Sequence, residues 1–246
     1  MVACRGLGRR NLDDTGRRHT ARRVISPLLA NIYLHYVLDV WFKEEVQPRL
    51  RGRAFLIRYA DDFVMGFAYE EDARRVLEVL PKRFGKFGLT LHPHKTRLVP
   101  FQKPSSGNQE PRSRPGTFDL LGFTHFWGLS RRGFWVVKRR TACSRFSRAL
   151  KKVADWCRKN FHAPVAEQAH KLGQKLRGHC AYYGITGNIE ALQRFHREVT
   201  RIWHKWLCRR HRKGYLAWPD FNRLLLRFPL PRATVVHSIY RHAATP

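Results

Sequence analysis

Apolar positions along this chain follow two different rhythms. From Val24 to about residue 140 they come mostly in short blocks: residues 54–59 and 63–68 flank Ala60-Asp61-Asp62, and further blocks lie at 89–99, 118–128 and 134–139. Short apolar blocks bounded by turn residues read as strands, so 54–68 is predicted to be an antiparallel hairpin. Two helices are predicted in this half. One starts at Ser26-Pro27, with Ser as cap and Pro at the first helical position, where its missing N–H is harmless, and runs to about Glu45, ending before Pro48. The other opens on Glu70-Glu71-Asp72 and puts Ala73, Val76, Leu77, Leu80 and Phe84 on one face. Pro81 lies inside that pattern and is expected to kink or split it. Residues 102–116, rich in Pro, Ser and Gly, read as a surface loop.

From about Thr141 the spacing becomes helical. Phe146, Ala149, Leu150, Val153, Trp156 and Cys157 form one stripe; Val165, Ala169, Leu172, Leu176 and Tyr183 a second; Leu192, Phe195, Val199, Ile202 and Trp206 a third. An α/β half over 24–140 is thus followed by a helical half over 141–246. Residues 1–23 hold seven Arg and three Gly with almost no periodicity, and read as a poorly ordered basic tail.

Charge changes the picture more than any other feature of composition. The chain carries 48 Lys and Arg against 18 Asp and Glu, a net charge of +30. Self-repulsion of that size disfavours a compact chain unless a polyanion neutralises it. With 13% aromatic residues, RNA suits better than a membrane surface, because RNA offers phosphates and unstacked bases together. No membrane span is expected: the best apolar stretch, 24–42, contains Pro27, Asn31, His35 and Asp39. The N-terminus lacks the apolar core of a signal peptide. Cys4, Cys143, Cys157, Cys180 and Cys208 show no paired metal-ligand spacing and read as reduced thiols of a cytoplasmic protein.

Two constellations carry candidate chemistry. Asp61 and Asp62 stand side by side at the hairpin tip. Adjacent acids at a turn are most often a solvated loop, but in so basic a chain they also suit Mg²⁺, or Mn²⁺ in its place, which takes carboxylate oxygens and keeps waters and phosphates as further ligands. In the third helix Arg197, Arg201, Lys205 and Arg209 recur every four residues, opposite the apolar stripe, with Glu198 the lone carboxylate between Phe195 and Gly214. Arg148, Lys151, Lys152, Arg158 and Lys159 do the same on the first. Ordinary solvated faces mix signs; these scarcely do, and RNA binding is the expectation. Trp203, Trp206, Tyr182 and Tyr183 are able to stack on bases, though a core role is the commoner one.

Tyr-Ala-Asp-Asp at 59–62, preceded by VISPLLANIYLHYVLD (24–39) and followed by GLTLHPHKT (88–96) and LLGF (120–123), resembles the palm of group II intron reverse transcriptases. KLRGHCAYYGITGN (175–188) and FPLP (228–231) are similar to their thumb and maturase region. The resemblance implies an α+β fold: a partial polymerase palm, an antiparallel sheet with packed helices, then an all-α thumb/maturase domain. It implies Asp61 as direct metal ligand, Asp62 as its support, and Tyr59 and Ala60 near the primer end and incoming nucleotide. It further implies Lys95 near the nucleotide phosphates, and Leu121 and Gly122 in a turn that grips the primer. The partners it implies are structured intron RNA and an RNA/DNA hybrid.

Two features depart from the family pattern. The family's further metal-binding aspartate, on a strand upstream of the 27–45 helix, has no counterpart; Asp13 and Asp14 do not match it. A Gln-Gly-Gly turn is replaced by Thr20-Ala21-Arg22-Arg23. These departures look like an N-terminal truncation that removed the fingers and the first part of the palm, so weak or no independent polymerisation is expected. A polypeptide encoded upstream, or a second copy, would have to supply the missing ligand. The alternatives are a non-catalytic maturase-like RNA-binding protein or a relic of a mobile element. No zinc-type cysteine pairs follow the helical half, so DNA cleavage is not expected.

Overall fold

The structure is a computed structural model that describes residues 3–4, 7–8, 22–92, 96–104, 116–210 and 214–238. The chain divides into two compact units, Met1–Leu121 with His125–Val137, and Gly122–Thr124 with Lys138–Pro246. Helices and small antiparallel sheets mix throughout the first, giving an α+β fold.

In the first unit, helix α1 spans Arg22–Leu34 and continues as π-helical turns over His35–Val40 and Phe42–Val46. A 3₁₀ turn at Gln47–Arg49, with Pro48 inside it, ends the run. The expected start at Ser26-Pro27 is corrected: helix begins at Arg22 and Pro27 lies within it. Proline removes one ladder hydrogen bond there, and the preceding turn supplies the rest. Strands β3 (Ala54–Tyr59) and β4 (Asp62–Phe67) form the predicted hairpin, in register from Ala54↔Phe67 to Tyr59↔Asp62. Helix α2, Glu70–Lys86, runs unbroken through Pro81. That proline is exposed, and the one ladder bond it cannot donate is the bond to the Leu77 carbonyl.

Alternation decides what the hairpin buries. Phe63, Met65 and Phe67 of β4 point into a core with Val37, Leu38 and Phe42 of the π-helical segment and Val76, Leu80 and Phe84 of α2. Val64, on the opposite face, enters a second cluster with Val99, Phe101 and Phe118. Strand β4 is therefore covered on both sides, whereas β3 alternates: Ala54, Leu56 and Arg58 are half-buried while Phe55, Ile57 and Tyr59 are exposed. Loop 51–52 is tied to α2 through Asp72, whose Oδ2 accepts the backbone N–H of Arg51 at 3.0 Å and of Gly52 at 3.3 Å.

The first 23 residues read as a tail without a strand, yet backbone at β1 (Ala3–Cys4) and β2 (Leu7–Gly8) enters ladders. These pair with β6 (Thr96–Arg97) and β5 (Thr90–Leu91). Two-residue ladders use backbone groups alone and leave no alternation for a pattern to detect. The 118–128 block splits into β7 (Phe118–Leu120) and β8 (Phe123–Leu129), joined in one sheet with β9 (Trp135–Thr141).

The second unit holds α3 (Cys143–Asn160), α4 (Val165–Tyr183), α5 (Ile189–Arg210) and α6 (Trp218–Arg227). The three predicted stripes supply most of its core, with Trp203 fully buried at the centre. The Trp203 indole N–H donates to Gln168 Oε1 at 2.9 Å, and Gln168 Nε2 donates to the carbonyls of Phe161 and Ala163. Every polar group of that buried pair has a partner, as burial requires. Buried Asn188 does similar work: its Oδ1 accepts from Thr141 N, and its Nδ2 donates to Thr141 Oγ1 and to the Tyr183 carbonyl. The short helix α6 has no predicted counterpart, although Pro219 at its start and Asp220 in its first turn are helix-start signals.

Candidate metal and nucleic-acid site

The turn between β3 and β4 consists of Ala60 and Asp61. Ala60 has φ +53°, and Asp61 is not among the residues at positive φ. Positive φ at the first central residue alone is the sign pattern of a type II′ turn, which matches the right-handed twist of a hairpin. Glycine is the residue that adopts it without strain; alanine holds it at a cost of order 1 kcal/mol. Asp61 is exposed and Asp62 half-buried, and Tyr59 is 67% exposed. The turn therefore presents two carboxylates and a phenol ring to solvent.

Under that turn lies an arrangement the sequence reading passed over. Arg58 shares the inward row of β3 with Ala54 and Leu56, and a guanidinium on a buried row requires partners. Its Nε donates to Asp39 Oδ1 at 2.8 Å and its Nη2 to Asp39 Oδ2 at 2.7 Å. Its Nη1 donates to Asn31 Oδ1 and to the Ala60 carbonyl, each at 3.0 Å. Burial raises the Asp39 carboxyl, but hydrogen bonds from Arg58 and His35 outweigh it, so the acid sits below its ordinary value and stays ionised. The legible signal was period 2: a lone Arg on the same side as Ala54 and Leu56, with one acid, Asp39, inside an apolar helical run.

Oxygen donors on adjacent residues fit Mg²⁺ held partly by water and phosphate. Among the described residues no group of three or more acids, histidines or cysteines is placed to hold a metal ion. Among the described residues the pair therefore stands without a third acid, histidine or cysteine placed to share an ion with it. Lys95 lies outside the described residues. Leu121 (φ +50°) and Gly122 (φ +81°) form the β7–β8 turn, positive at both central positions, the sign pattern of a type I′ turn. A Cβ on Gly122 would lie 3.1 Å from the Tyr183 hydroxyl.

The basic residues lie where their spacing put them. Arg197, Arg201, Lys205 and Arg209 are all exposed along α5, while Phe195, Val199, Trp203 and Leu207 are buried on its other side. Arg201 pairs with Glu198 at 3.2 Å, and Arg209 sits 4.6 Å over the Trp206 ring. Lys151, Lys152, Arg158 and Lys159 are exposed along α3, as is Arg148, with Asp155 beside Arg158 at 3.8 Å. Of the aromatics considered for base stacking, Trp203 is core, Trp206 and Tyr183 are half-buried, and Tyr182 is 55% exposed. Cys143, Cys157, Cys180 and Cys208 are free thiols; burial pushes that of Cys157 up to about 12, leaving it unreactive. No described helix is long and apolar enough to cross a membrane.

Two family models match the chain. One, described as reverse transcriptase (RNA-dependent DNA polymerase), covers residues 23–125. The other, described as the group II intron, maturase-specific domain, covers residues 146–223. No curated protein matches it.

Proposed function

Because the chain belongs to the group II intron reverse transcriptase/maturase family, we propose that it binds structured intron RNA through the basic faces of α3 and α5. The Asp61–Asp62 turn is a Mg²⁺ site of polymerase type that does not sustain robust synthesis alone. The observation that carries the RNA reading is the sidedness of α5: six exposed cations, Arg197, Arg201, Lys205 and Arg209 among them, an apolar buried side, and only two carboxylates, Glu190 and Glu198. Such a face tracks a phosphate backbone, and the counterions released there drive binding. Intron RNA held in this way is steadied in its folded form, the service a maturase provides.

At the hairpin, Asp61 and Asp62 offer carboxylate oxygens, and Tyr59 and Ala60 bound the space for a primer end and an incoming nucleotide. Lys95 is assigned to the nucleotide phosphates, and Leu121 and Gly122 to the primer strand of an RNA/DNA hybrid. Mg²⁺, when bound, would neutralise phosphate charge and favour attack by a hydroxyl. Two carboxylates with no third protein ligand beside them among the described residues hold it loosely, which supports weak catalysis. A further protein ligand, from a second copy of the chain or another polypeptide, is proposed to complete the site.

Two assays test this reading together. A labelled group II intron RNA is expected to bind more tightly than an unrelated duplex of equal length, and equal affinity for both would overturn the maturase role. Primer extension on an RNA template with Mg²⁺ is expected to be barely above background. Robust extension that Asp61→Ala abolishes would refute the impaired site.

A further inference from the structure

Arg58 touches the metal-site turn at one point, the Ala60 carbonyl, and that oxygen belongs to the peptide leading into Asp61. Rotation of this central peptide, about ψ of Ala60 and φ of Asp61, is the soft motion of a two-residue turn; it leaves φ of Ala60 as it is but turns Asp61 with it. The turn therefore needs a brace to stay as it is. Four of the five guanidinium N–H groups are engaged, two by Asp39 and one each by Asn31 and Ala60. Asp39 and Asn31 stand on the neighbouring helix, so the brace is anchored outside the hairpin it holds. The Arg58 side chain is only 13% exposed, and its bond to Asp39 is bidentate, a fork geometry with little freedom to swing.

We propose that Arg58, locked by Asp39, is a positioning residue that fixes the Ala60–Asp61 peptide and so aims the Asp61 carboxylate for metal. The inference rests on the reading of Asp61 and Asp62 as a Mg²⁺ site and adds the group that orients them. Because Asp39 neutralises Arg58, the effect on the site is one of orientation rather than of charge. Lysine cannot replace it: a single ammonium does not reach both Asp39 oxygens, Asn31 and the Ala60 carbonyl together.

The test uses the full chain and Fe²⁺ as a substitute ion, with ascorbate and peroxide, reading backbone cleavage around residues 59–62 by mass spectrometry. The quantity followed is the Fe²⁺ concentration for half-maximal cleavage, and thermal unfolding of each variant is recorded beside it. Loss of a residue that orients a metal ligand weakens affinity about 10-fold or more. Arg58→Lys is expected to raise the half-maximal concentration by about that factor at nearly unchanged unfolding temperature, and Asp61→Asn to abolish local cleavage. Should Arg58→Lys fail to fold, the isosteric Asp39→Asn carries the test, with the same direction expected. If Asp61→Asn abolishes cleavage while Arg58→Lys and Asp39→Asn leave the curve in place, the positioning role is wrong and the metal site stands. If Asp61→Asn itself changes nothing, the metal reading falls and the positioning role falls with it.

Discussion

The cationic face of α5 offers the most direct quantitative test. Consider a variant in which Arg197, Arg201, Lys205 and Arg209 are all replaced by Gln. All four are exposed, so the fold loses no buried partner. Each Lys or Arg that neutralises a phosphate contributes about 0.7 to 0.9 to the slope of log affinity against log salt. Four contacts therefore account for a slope of roughly 3 to 3.5. Raising salt from about 50 to about 200 mM weakens binding through these contacts alone by a factor on the order of 10². The variant is expected to lose that share of the slope and to bind weakly already at low salt. Arg201 divides its charge with Glu198 at 3.2 Å, so its share is the smallest and single replacements are expected to rank it last. The assay is fluorescence anisotropy of an intron RNA across a salt series. A control variant removes four exposed cations elsewhere, Lys82, Lys86, Arg131 and Arg132. If both variants lose the same slope, RNA is responding to the overall charge of +30 and not to α5, and the reasoning is refuted.

Three further outcomes follow from buried or strained positions. His179 is 9% exposed, stacked 3.7 Å from the Phe195 ring, and burial holds its imidazole down to about 4. The unfolded chain takes up that proton near pH 6.5 and the folded chain only near 4. Stability is therefore complete above about pH 6.5 and is lost as pH falls toward 4, by up to about 3 kcal/mol; His179→Phe keeps the stack and is expected to flatten urea unfolding across that window, and an unchanged pH dependence would exclude His179 as its source. A Cβ on Gly184 would lie 2.2 Å from the Cys180 carbonyl oxygen and 2.9 Å from that of Thr234; both are backbone and cannot step aside, so Gly184→Ala is expected to cost about 1–3 kcal/mol in chemical unfolding, and a neutral result would show the segment free to shift. Ala60→Gly is expected to leave stability unchanged or raise it by up to about 1 kcal/mol, since glycine removes the strain at φ +53° but loosens the unfolded chain; Ala60→Val is expected to destabilise the hairpin, and the reverse order in urea midpoints would contradict the strained turn.

Much of the architecture was legible because period alone encodes which side is buried. The stripes of α3, α4 and α5 lie in the core as their 3.6-residue spacing required, and the cations between them face outward because a helix has no third side. The Asp61–Asp62 tip followed from two apolar runs and a gap of fixed length. Pattern said nothing where backbone geometry or a distant partner decides. Pro27 and Pro81 sit inside helices that sequence rules would start or break there; each removes one hydrogen bond, and around Pro81 the buried face of Val76, Leu80 and Phe84 holds the helix together. The ladders of β1 and β2 needed only backbone groups on segments some 90 residues away. Asp39 and Arg58 are 19 residues apart, and no local spacing joins them. By itself the sequence determined the elements, the charged faces and the acidic turn, since these depend on neighbours along the chain. Only the tertiary structure decided what holds the turn in place: Arg58 reaches the Ala60 carbonyl because folding set the helix bearing Asp39 and Asn31 against the inner row of β3.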